Sequence, residues 1–506
     1  MEQLIGQQLC IDREPDRWVA SACLLYSNGC GLDIAVRDER IVGMRGRKDH
    51  PVNFGHLGPK GENAWVANAS PRRGTTPMVR RHKGAPLEPI GCDEAYSVFM
   101  ERFDAARKLS HDNVACYNSG QLTIEEFYAL AKLWRGGLQS SNIDGNTRLC
   151  TATSATGLMA DFGADGPVAG YTDIDETDLL CLYGPNVAEA QRCCGSGCSR
   201  PSATGCPHHR RRPAQEPTVR QGADLHLQTR LGTNVALING ILHLLIANGQ
   251  VNRGFVESHT VGYEQLAQVV PEHSADRVAD ICGIEQHLLE TAAAWIGSTA
   301  RVVSTVLQGF CQSVEATAAS SLVNSVHLLK GAIGKAFIKP AHWRRQPNPP
   351  AEEFPFVLNT GRVVHHFHTR TKTGRSEELS RRIPHAYVEI HPEDALRLGI
   401  ALGDLVEVSS PEGRWEGPAI VVDTVRPGEI FIPFHFGHGT QSANQHTWFA
   451  RDPVSQQPQF KSAPVTVQRK SFSLPERWLL DQLADLDGRA RQPYAARLIG
   501  GGSSQL

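Results

Sequence analysis

One cysteine follows a run of turn-forming residues, in a setting where its thiol could reach a metal ion. The run covers residues 142–149, and the cysteine is Cys150. Asn142, Asp144 and Gly145 favour turns, because short polar side chains bond nearby backbone and glycine tolerates unusual dihedral angles. We therefore predict that Cys150 emerges from a loop, where its thiolate can bind a metal. The alternative for a single cysteine is a buried, inert side chain.

A predicted helix leads into this loop. Apolar residues recur over 121–134 at the spacing of one helix face. Thr123 is a predicted N-cap, and Glu126 stands three residues later, as in a capping box. Another helix is predicted over 93–107. Two glycines directly after residue 135 would end the helix that precedes the cysteine.

Length and composition limit the class of protein. The 506 residues predict about three domains of roughly 150 residues each. A net charge of -2 leaves no basic excess, so a nucleic-acid partner is not expected. The sequence starts without a basic and then apolar leader and has no run of about 18 apolar residues, which predicts a cytoplasmic protein without a membrane span. The 13 cysteines favour ligands and free thiols over a disulfide framework.

Strand patterns occur at both ends of the chain and between them. Residues 16–60 alternate as short strands with a hairpin turn at 37–40, and a continuous apolar run predicts that 173–184 is a buried strand of a parallel sheet. Another strand is predicted within 301–313. From residue 356 onward, several short strands separated by Gly and Pro predict a closed barrel.

Several motifs together resemble the molybdopterin oxidoreductases of the dimethyl sulfoxide reductase superfamily. They are the Asn-Thr-Arg-Leu-Cys segment ending at Cys150, the Gly-Pro-Asn-Val-Ala-Glu segment at 184–189 and the polar loop at 361–375. The similarity is greatest to the assimilatory nitrate reductase branch, with formate dehydrogenases nearby. It implies an α/β fold with a small N-terminal β domain and a C-terminal double-psi β-barrel. The implied segments are an iron–sulfur-type domain, an α/β region, a dinucleotide-binding barrel and a tail, at 16–62, 63–335, 352–468 and 469–506.

The resemblance also implies a cofactor and its contacts. Cys150 would ligate molybdenum carried by molybdopterin guanine dinucleotide, and the loop at 361–375 would face the same cofactor. A structure with these two parts on opposite sides would exclude the assignment. Arg148 would orient the ligand loop or an anion, or form a structural salt bridge. The implied cofactor contacts are Lys60, Gly184, Asn186, Glu189, Gly232, Thr233, Asn234, Gly309, Gln312, Gly361, Arg362, His366, His368, Thr369, Thr371, Lys372, Thr373, Arg375, Asn444 and Lys461.

The N-terminal region departs from the family pattern for a [4Fe-4S] cluster. Cys23 and Cys30 match two of the four ligand positions, but Tyr26 and Gly58 stand at the other two. A cubane cluster normally takes four cysteine thiolates. We therefore predict an incomplete cluster site.

A break in the pattern occurs at residues 191–213. This segment has no periodicity and almost no large apolar residue, and our preferred hypothesis is a run translated in a shifted reading frame. Zinc binding is the alternative, since thiolates and imidazoles are its usual ligands. The possible zinc ligands are Cys193, Cys194, Cys198, Cys206, His208 and His209.

The resemblance implies oxygen-atom transfer from nitrate or a similar small oxyanion, in nitrate assimilation, with electrons from a ferredoxin or a flavoprotein. Formate dehydrogenase-like chemistry is one alternative. A non-catalytic remnant without metal is another, because residue 335 leads almost directly into the C-terminal domain where family members have a second large α/β region.

Overall fold

The computed structural model describes residues 10–11, 13–25, 28–186, 223–331, 334–437, 442–473 and 476–482 without Trp478. Tyr26, Glu189 and the segment at 191–213 with its possible zinc ligands lie outside the described residues. What the sequence predicts for them stays a prediction.

The chain begins with a small antiparallel sheet. Its strands are β1 (Cys10–Ile11), β2 (Arg17–Ala22), β3 (Gly31–Arg37) and β4 (Arg40–Gly46), in the order β1-β4-β3-β2. Asp38 and Glu39 connect β3 to β4 with φ angles of 49° and 58°. Two successive positive φ angles are typical of the tight turns that match strand twist, so the predicted hairpin is confirmed.

Short elements lead from this sheet to the cysteine loop. They are α1 (Pro59–Glu62), α2 (Ala64–Ala69), β5 (Met78–Val79), β6 (Glu88–Pro89), α3 (Cys92–Leu109), β7 (Cys116–Asn118), α4 (Ile124–Ala131) and β8 (Ile143–Gly145). Both predicted helices are present. The Thr123 N–H donates to Glu126 Oε2 at 2.7 Å and the Glu126 N–H donates to Thr123 Oγ1 at 3.4 Å, so the predicted capping box is present too.

The predicted strand within 173–184 is shorter than expected. Helix α5 (Ala152–Phe162) is followed by α6 (Tyr171–Glu176), and only then by β9 (Leu179–Tyr183). The Gly170 N–H donates to Asp173 Oδ2 at 2.6 Å, and an acidic residue is favourable in the first turn of a helix. β9 pairs in parallel with β11 (Val302–Val306), so both predicted strands are present, but four of the five residues of β9 are only half-buried.

A helical layer packs beside these strands. It contains α7 (Asn234–Ala247), α8 (Arg253–His259), β10 (Thr260–Val261), α9 (Tyr263–Val269), α10 (Ala275–Cys282), α11 (Gln286–Ser298), α12 (Gln308–Cys311), α13 (Ala316–Lys330) and β12 (Ala336–Phe337). α7 is apolar on nearly all sides, which is typical of a helix surrounded by protein. It contacts α10, α11 and α13 and forms the centre of this core.

The C-terminal region is a closed barrel, as predicted. Its elements are β13 (Phe356–Gly361), α14 (Glu377–Arg382), β14 (Val388–Ile390), α15 (Pro392–Leu398), β15 (Leu405–Ser409), β16 (Arg414–Val421), β17 (Glu429–Pro433) and β18 (Ala463–Ser471). The strands close in the order β13-β17-β14-β16-β15-β18, and the β13/β17 and β14/β16 pairs are parallel. Phe356, Tyr387 and Trp415 fill the interior and are each at most 1% exposed. Together with the barrel, the α/β region and the small N-terminal sheet confirm the predicted fold.

Among the helices that the structure describes, none is both long enough and apolar enough to cross a membrane.

Candidate functional site

Cys150 emerges from a loop at the end of a short parallel strand pair. β7 and β8 run in parallel, and a single 3-10 turn at Asn146–Leu149 carries the chain from β8 to the thiol. The Asn146 side chain accepts a hydrogen bond from the Gly120 N–H at 2.6 Å, which ties this turn to the loop after β7. The cysteine is half-buried, and α5 begins two residues later. The thiol is therefore held at the start of a helix and is open on one side.

Two hydrogen-bond donors lie next to the sulfur. Nε2 of Gln308 is 3.3 Å from Cys150 Sγ, and a guanidinium nitrogen of Arg362 is 3.6 Å from it. Hydrogen-bond donors and positive charge beside a sulfur stabilise the negative charge that it carries as a metal ligand. A metal-bound cysteine is a thiolate. The surroundings of Cys150 therefore fit the protein ligand of a molybdenum cofactor.

Arg362 brings the barrel into the same site. It directly follows β13 and is 212 residues away from Cys150 in the sequence. The loop at 361–375 and the sulfur thus lie on the same side of the molecule. This is the arrangement that a cofactor shared between them requires.

Two glutamines and a threonine hold the backbone around the cysteine. Gln457, which is fully buried, donates to the Cys150 carbonyl at 2.9 Å and accepts from the Thr153 N–H at 2.9 Å. Gln312, a predicted contact residue, donates to the Leu149 carbonyl at 2.8 Å. The Thr153 hydroxyl donates to the Cys311 carbonyl at 2.9 Å. The ligand loop is therefore fixed from both the barrel side and the β11 side.

Arg148 has a structural role in this loop. Its Nε lies 3.0 Å from Asp144 Oδ2, and Nη1 donates to the Ser455 carbonyl at 2.5 Å. Burial works against ionisation of Asp144, but the Arg148 hydrogen bond, the Gly145 N–H and the Arg148 charge outweigh it and lower the pKa of Asp144. The structure thus supports the salt-bridge alternative for Arg148 and connects the loop to the barrel segment at 452–459.

Gly184 and Gly309 meet where β9 and β11 end. The Gly309 N–H donates to the Gly184 carbonyl at 3.1 Å. A Cβ on Gly184, whose φ is 72°, would lie 2.3 Å from the Phe310 nitrogen, and a Cβ on Gly309 would lie 2.5 Å from the Gly184 oxygen. Both glycines are needed for this close approach. Carboxyl ends of parallel strands commonly bind ligands, and Asn186 lies two residues beyond this edge.

Lys60 and His366 form part of the buried base of the site. The Lys60 ammonium, only 2% exposed, donates to the His366 carbonyl at 3.3 Å. His366 Nε2 lies 2.6 Å from the Ile383 carbonyl and Nδ1 lies 3.3 Å from Thr373 Oγ1, so both ring nitrogens have partners. Burial lowers the pKa of His366 to about 4. His366 and Thr373 therefore support the loop from within, as neutral groups.

His435 and His368 complete this base. The Val363 N–H donates to His435 Nε2 at 2.9 Å, which leaves Nδ1–H to donate to the His368 carbonyl at 2.7 Å. Burial lowers the pKa of His435 well below its ordinary value and lowers the pKa of His368 to about 4, with Arg362 and Lys60 adding to the effect for His368. The imidazoles of His366, His368 and His435 are thus neutral at pH 7, and the positive charge at the Cys150 sulfur comes from Arg362.

These neutral histidines should make the barrel sensitive to acid. Between pH 6.5 and about 4 the unfolded chain takes up protons at His366 and His368 that the folded chain does not bind, so the free energy of unfolding should decrease as pH falls through this window. Each group contributes at most about 1.4 kcal/mol per pH unit. Urea unfolding at pH about 7, 6 and 5 should show this decrease, and His366→Gln should reduce its slope. The same change at His287, whose side chain is 64% exposed, should leave the slope unaltered; an equal slope in both variants would refute the assignment.

The remaining predicted loop residues lie further out. Thr369, Thr371 and Lys372 are exposed, and the Thr369 and Thr371 hydroxyls are 3.0 Å apart. Arg375 donates from Nε to the Thr371 carbonyl at 2.9 Å. Gly361 lies inside, where a Cβ would be 2.4 Å from the Phe431 ring. Only Arg362 of this loop contacts the sulfur among the contacts that the structure describes.

Gly232, Thr233 and Asn234 start α7 beside a small cavity. Its other lining residues include Glu315, Arg344 and Gln346, and no described contact joins this cavity to Cys150. Thr233 Oγ1 donates to the Arg230 carbonyl at 2.7 Å. Burial raises the pKa of Glu315 to about 7. The cavity is lined by polar groups, as a nucleotide end would require.

Two predicted residues belong to the barrel's last segments. Lys461 donates from Nζ to the Thr360 carbonyl, which keeps it beside the end of β13. Asn444 is exposed in a 3-10 turn at Ala443–His446. Lys461 is therefore close to the Arg362 side of the site, and Asn444 has no described contact with it.

Cys23 and Cys30 lie in an apolar cluster of the N-terminal sheet. Both are buried, together with Leu25, Leu32 and Met44, and the Cys23 N–H donates to the Cys30 carbonyl at 2.9 Å. Gly58 offers no side chain, and in the described ranges no three His, Cys, Asp or Glu side chains are grouped to hold a metal. A cubane cluster takes four thiolates, so the described residues do not fit one.

We therefore expect the purified protein to contain no [4Fe-4S] cluster. Anaerobic treatment with ferrous iron and sulfide should not produce the visible absorption of a cluster. The double variant Tyr26→Cys, Gly58→Cys would supply the two missing thiols and should permit one, whereas each single variant should not. Four bound irons per chain in the unaltered protein would contradict this expectation.

Comparison with known families matches most of the chain. Residues 73–395 match the family described as Molybdopterin oxidoreductase, and residues 356–464 match the Molydopterin dinucleotide binding domain. Residues 16–67 match the Molybdopterin oxidoreductase Fe4S4 domain, although two of the four thiolates are replaced. These matches confirm the predicted class of cofactor.

Individual relatives agree with the family matches. A periplasmic nitrate reductase of Desulfovibrio desulfuricans is 30% identical over 352 residues, which are 67% of this chain and 46% of that protein. A nitrate reductase of Synechocystis sp. is 30% identical over 342 residues, 64% of this chain and 47% of that protein. An F420-dependent formate dehydrogenase subunit alpha of Methanocaldococcus jannaschii is 27% identical over 317 residues, 63% of this chain and 46% of that protein.

The fold agrees as well. The solved structure of acetylene hydratase from Pelobacter acetylenicus superposes with a TM-score of 0.74 at 12% identity, covering 89% of this chain and 100% of that chain. The chain spans about half the length of the curated relatives that it matches. With family matches over the α/β region and the barrel, this chain belongs to the molybdopterin oxidoreductase family.

Proposed function

We propose that this chain binds a molybdenum–molybdopterin guanine dinucleotide cofactor and catalyses nitrate reductase-like oxygen-atom transfer. One observation carries the proposal. Cys150 Sγ and the Arg362 guanidinium, from two distant parts of the sequence, lie 3.6 Å apart at one site. Two of the relatives are named nitrate reductases, which supports nitrate over other small oxyanions.

The cofactor would supply the two-electron chemistry, and the protein would supply a ligand, position and charge. Cys150 would provide a thiolate to molybdenum. Gln457 and Gln312 fix the carbonyls of residues 150 and 149, so the direction of the sulfur is set by the backbone rather than by a mobile loop. Fixing a ligand in this way lowers the cost of reorganisation during turnover.

Positive charge is concentrated on the cofactor side of the barrel. Lys60 is buried against the His366 carbonyl, Lys461 is held at the Thr360 carbonyl, and Arg362 faces the sulfur. Cations at these positions suit the phosphates of a dinucleotide and an incoming anionic substrate. Neutral imidazoles around them contribute hydrogen bonds without competing charge.

Electrons would come from a separate protein. The described N-terminal residues do not fit a cluster, so a ferredoxin or a flavoprotein would deliver electrons to the cofactor without that relay. We propose that the reaction takes place in the cytoplasm and serves nitrate assimilation. Cell fractionation with antibody detection would test the location.

Metal analysis and a single activity assay test the proposal. The purified protein should contain molybdenum and the guanine dinucleotide of molybdopterin, and it should reduce nitrate with reduced viologen. Formate oxidation instead of nitrate reduction would favour the function named for the Methanocaldococcus relative. Protein that is folded but free of both molybdenum and pterin, when produced in a host that makes the cofactor, would refute the proposal and favour a non-catalytic remnant.

A further inference from the structure

Gln308 is placed by the fold directly against the ligand sulfur. It is the first residue of α12, separated from the end of β11 by Leu307 alone, and its Nε2 lies 3.3 Å from Cys150 Sγ. The next residue, Gly309, is locked against Gly184 by the 3.1 Å hydrogen bond between their backbones. The backbone at Gln308 and Gly309 therefore cannot move away from the strand edge without breaking that hydrogen bond. As a result, the Cα position from which the Gln308 side chain extends is fixed.

The amide differs in kind from the other donor at this sulfur. Arg362 brings a full positive charge at 3.6 Å, whereas Gln308 brings a neutral N–H at the shorter distance of 3.3 Å. Hydrogen bonds to a ligating sulfur withdraw electron density from it, weaken its donation to the metal and stabilise the reduced state. A neutral donor does this without changing the net charge of the site.

We propose that Gln308 is a positioning residue for the Cys150 thiolate. Its hydrogen bond orients the sulfur and raises the reduction potential of the metal that is bound to this sulfur. The inference rests on the proposed function, because it assumes molybdenum on Cys150. It goes beyond that function because it assigns control of the reduction potential to Gln308, a side chain that neither ligates the metal nor carries a charge.

Redox titration of the holoprotein, followed by the Mo(V) electron paramagnetic resonance signal, tests this role. Gln308→Met keeps the length of the side chain and removes the donor, so the midpoint potential should shift to a lower value with molybdenum content unchanged. Gln308→Glu places a carboxylate beside the sulfur and should lower it further. The matched control is Gln286→Met at the first residue of α11, an exposed glutamine that donates to Glu290 and not to the sulfur; it should leave the potential unaltered.

A second measurement does not depend on the metal. In metal-free protein, alkylation of Cys150 by iodoacetamide, followed by mass spectrometry of its peptide, should change several-fold in rate in Gln308→Met, because the amide that fixes the direction of the sulfur from 3.3 Å is lost. Gln286→Met should react at the unaltered rate.

The outcomes separate the two proposals. If the unaltered protein binds molybdenum and Gln308→Met has the same midpoint potential, the role of Gln308 is overturned and the proposed function stands. Absence of molybdenum from every variant overturns the proposed function and the tuning role with it. In that case the alkylation rates still decide whether the amide acts on the sulfur: equal rates would show that it does not.

Discussion

Replacing Cys150 with serine should lower nitrate turnover by more than about 100-fold, since even the partners of metal ligands commonly contribute 10- to 100-fold. Serine keeps the size of the side chain, but its hydroxyl is a much weaker donor to molybdenum than a thiolate. The pterin content should stay close to that of the unaltered protein, because dithiolene and phosphate contacts hold the cofactor elsewhere. Turnover with reduced viologen and fluorescence of the oxidised pterin measure the two quantities.

Cys116→Ser is the matched control. Cys116 begins β7, next to the strand that leads to the ligand loop, and has no described contact with the Cys150 sulfur. This variant should keep both turnover and pterin. Loss of the pterin together with turnover in Cys150→Ser would contradict the role given to the thiol, because it would mean that the sulfur holds the cofactor rather than completing the metal coordination.

The sequence predicted the barrel well for a physical reason. Its strands are short, and glycine or proline separates them, so the local signal marks each strand. β15 alternates half-buried and buried residues along its length, which is the pattern of a strand with one face on a core. Closure could be inferred from the number of strands, whereas the strand order depends on pairing between distant segments.

The position of Cys150 could also be predicted, but most of its partners could not. Turn-forming residues before the cysteine indicated a loop, and the family resemblance identified the thiol as a ligand. Gln308 and Gln457 reach the cysteine from 158 and 307 residues away, and nothing local marks an amide as the partner of a particular sulfur or carbonyl. Lys461, an implied cofactor contact four residues after Gln457, is the available signal for that glutamine.

Some predicted residues have partners within the fold that the sequence does not show. A histidine in a polar loop resembles a ligand-binding group, yet both ring nitrogens of His366 bond within the protein. Residues 173–178 precede an apolar run and were included in a strand, but Gly170 and Asp173 form a helix start there. In both cases a hydrogen-bond partner that the pattern did not show decided the outcome.

Asp452→Ala should be the most destabilising single change at the junction between the barrel and the helical layer. The carboxylate is 1% exposed and accepts from the Thr317 N–H at 3.1 Å and the Thr317 hydroxyl at 2.7 Å. It also accepts from the Val454 N–H at 3.1 Å and the Ser455 N–H at 2.8 Å. Thr317 lies in the first turn of α13, where a negative charge is favourable. Removal of the Asp452 carboxylate leaves these four donors unpaired. We therefore expect the free energy of unfolding to decrease by about 3 kcal/mol or more.

The same change should also loosen the cysteine loop. Ser455 and Gln457 follow Asp452 in one tight segment, and these residues hold Arg148 and the Cys150 carbonyl. Molybdenum content should therefore fall together with stability, and urea unfolding and metal analysis of the same preparations would show both.

Two further variants make the test specific to this carboxylate. Asp452→Asn keeps the shape and one acceptor oxygen but loses the charge, so its effect should lie between those of the aspartate and the alanine. Asp49→Ala removes a carboxylate whose side chain is 76% exposed, and it should leave the unfolding midpoint unaltered because water replaces its contacts. If Asp452→Ala unfolds at the same urea concentration as Asp49→Ala, the carboxylate does not join the barrel to α13. The ligand loop would then have to be held by Gln312 and the β11 side alone.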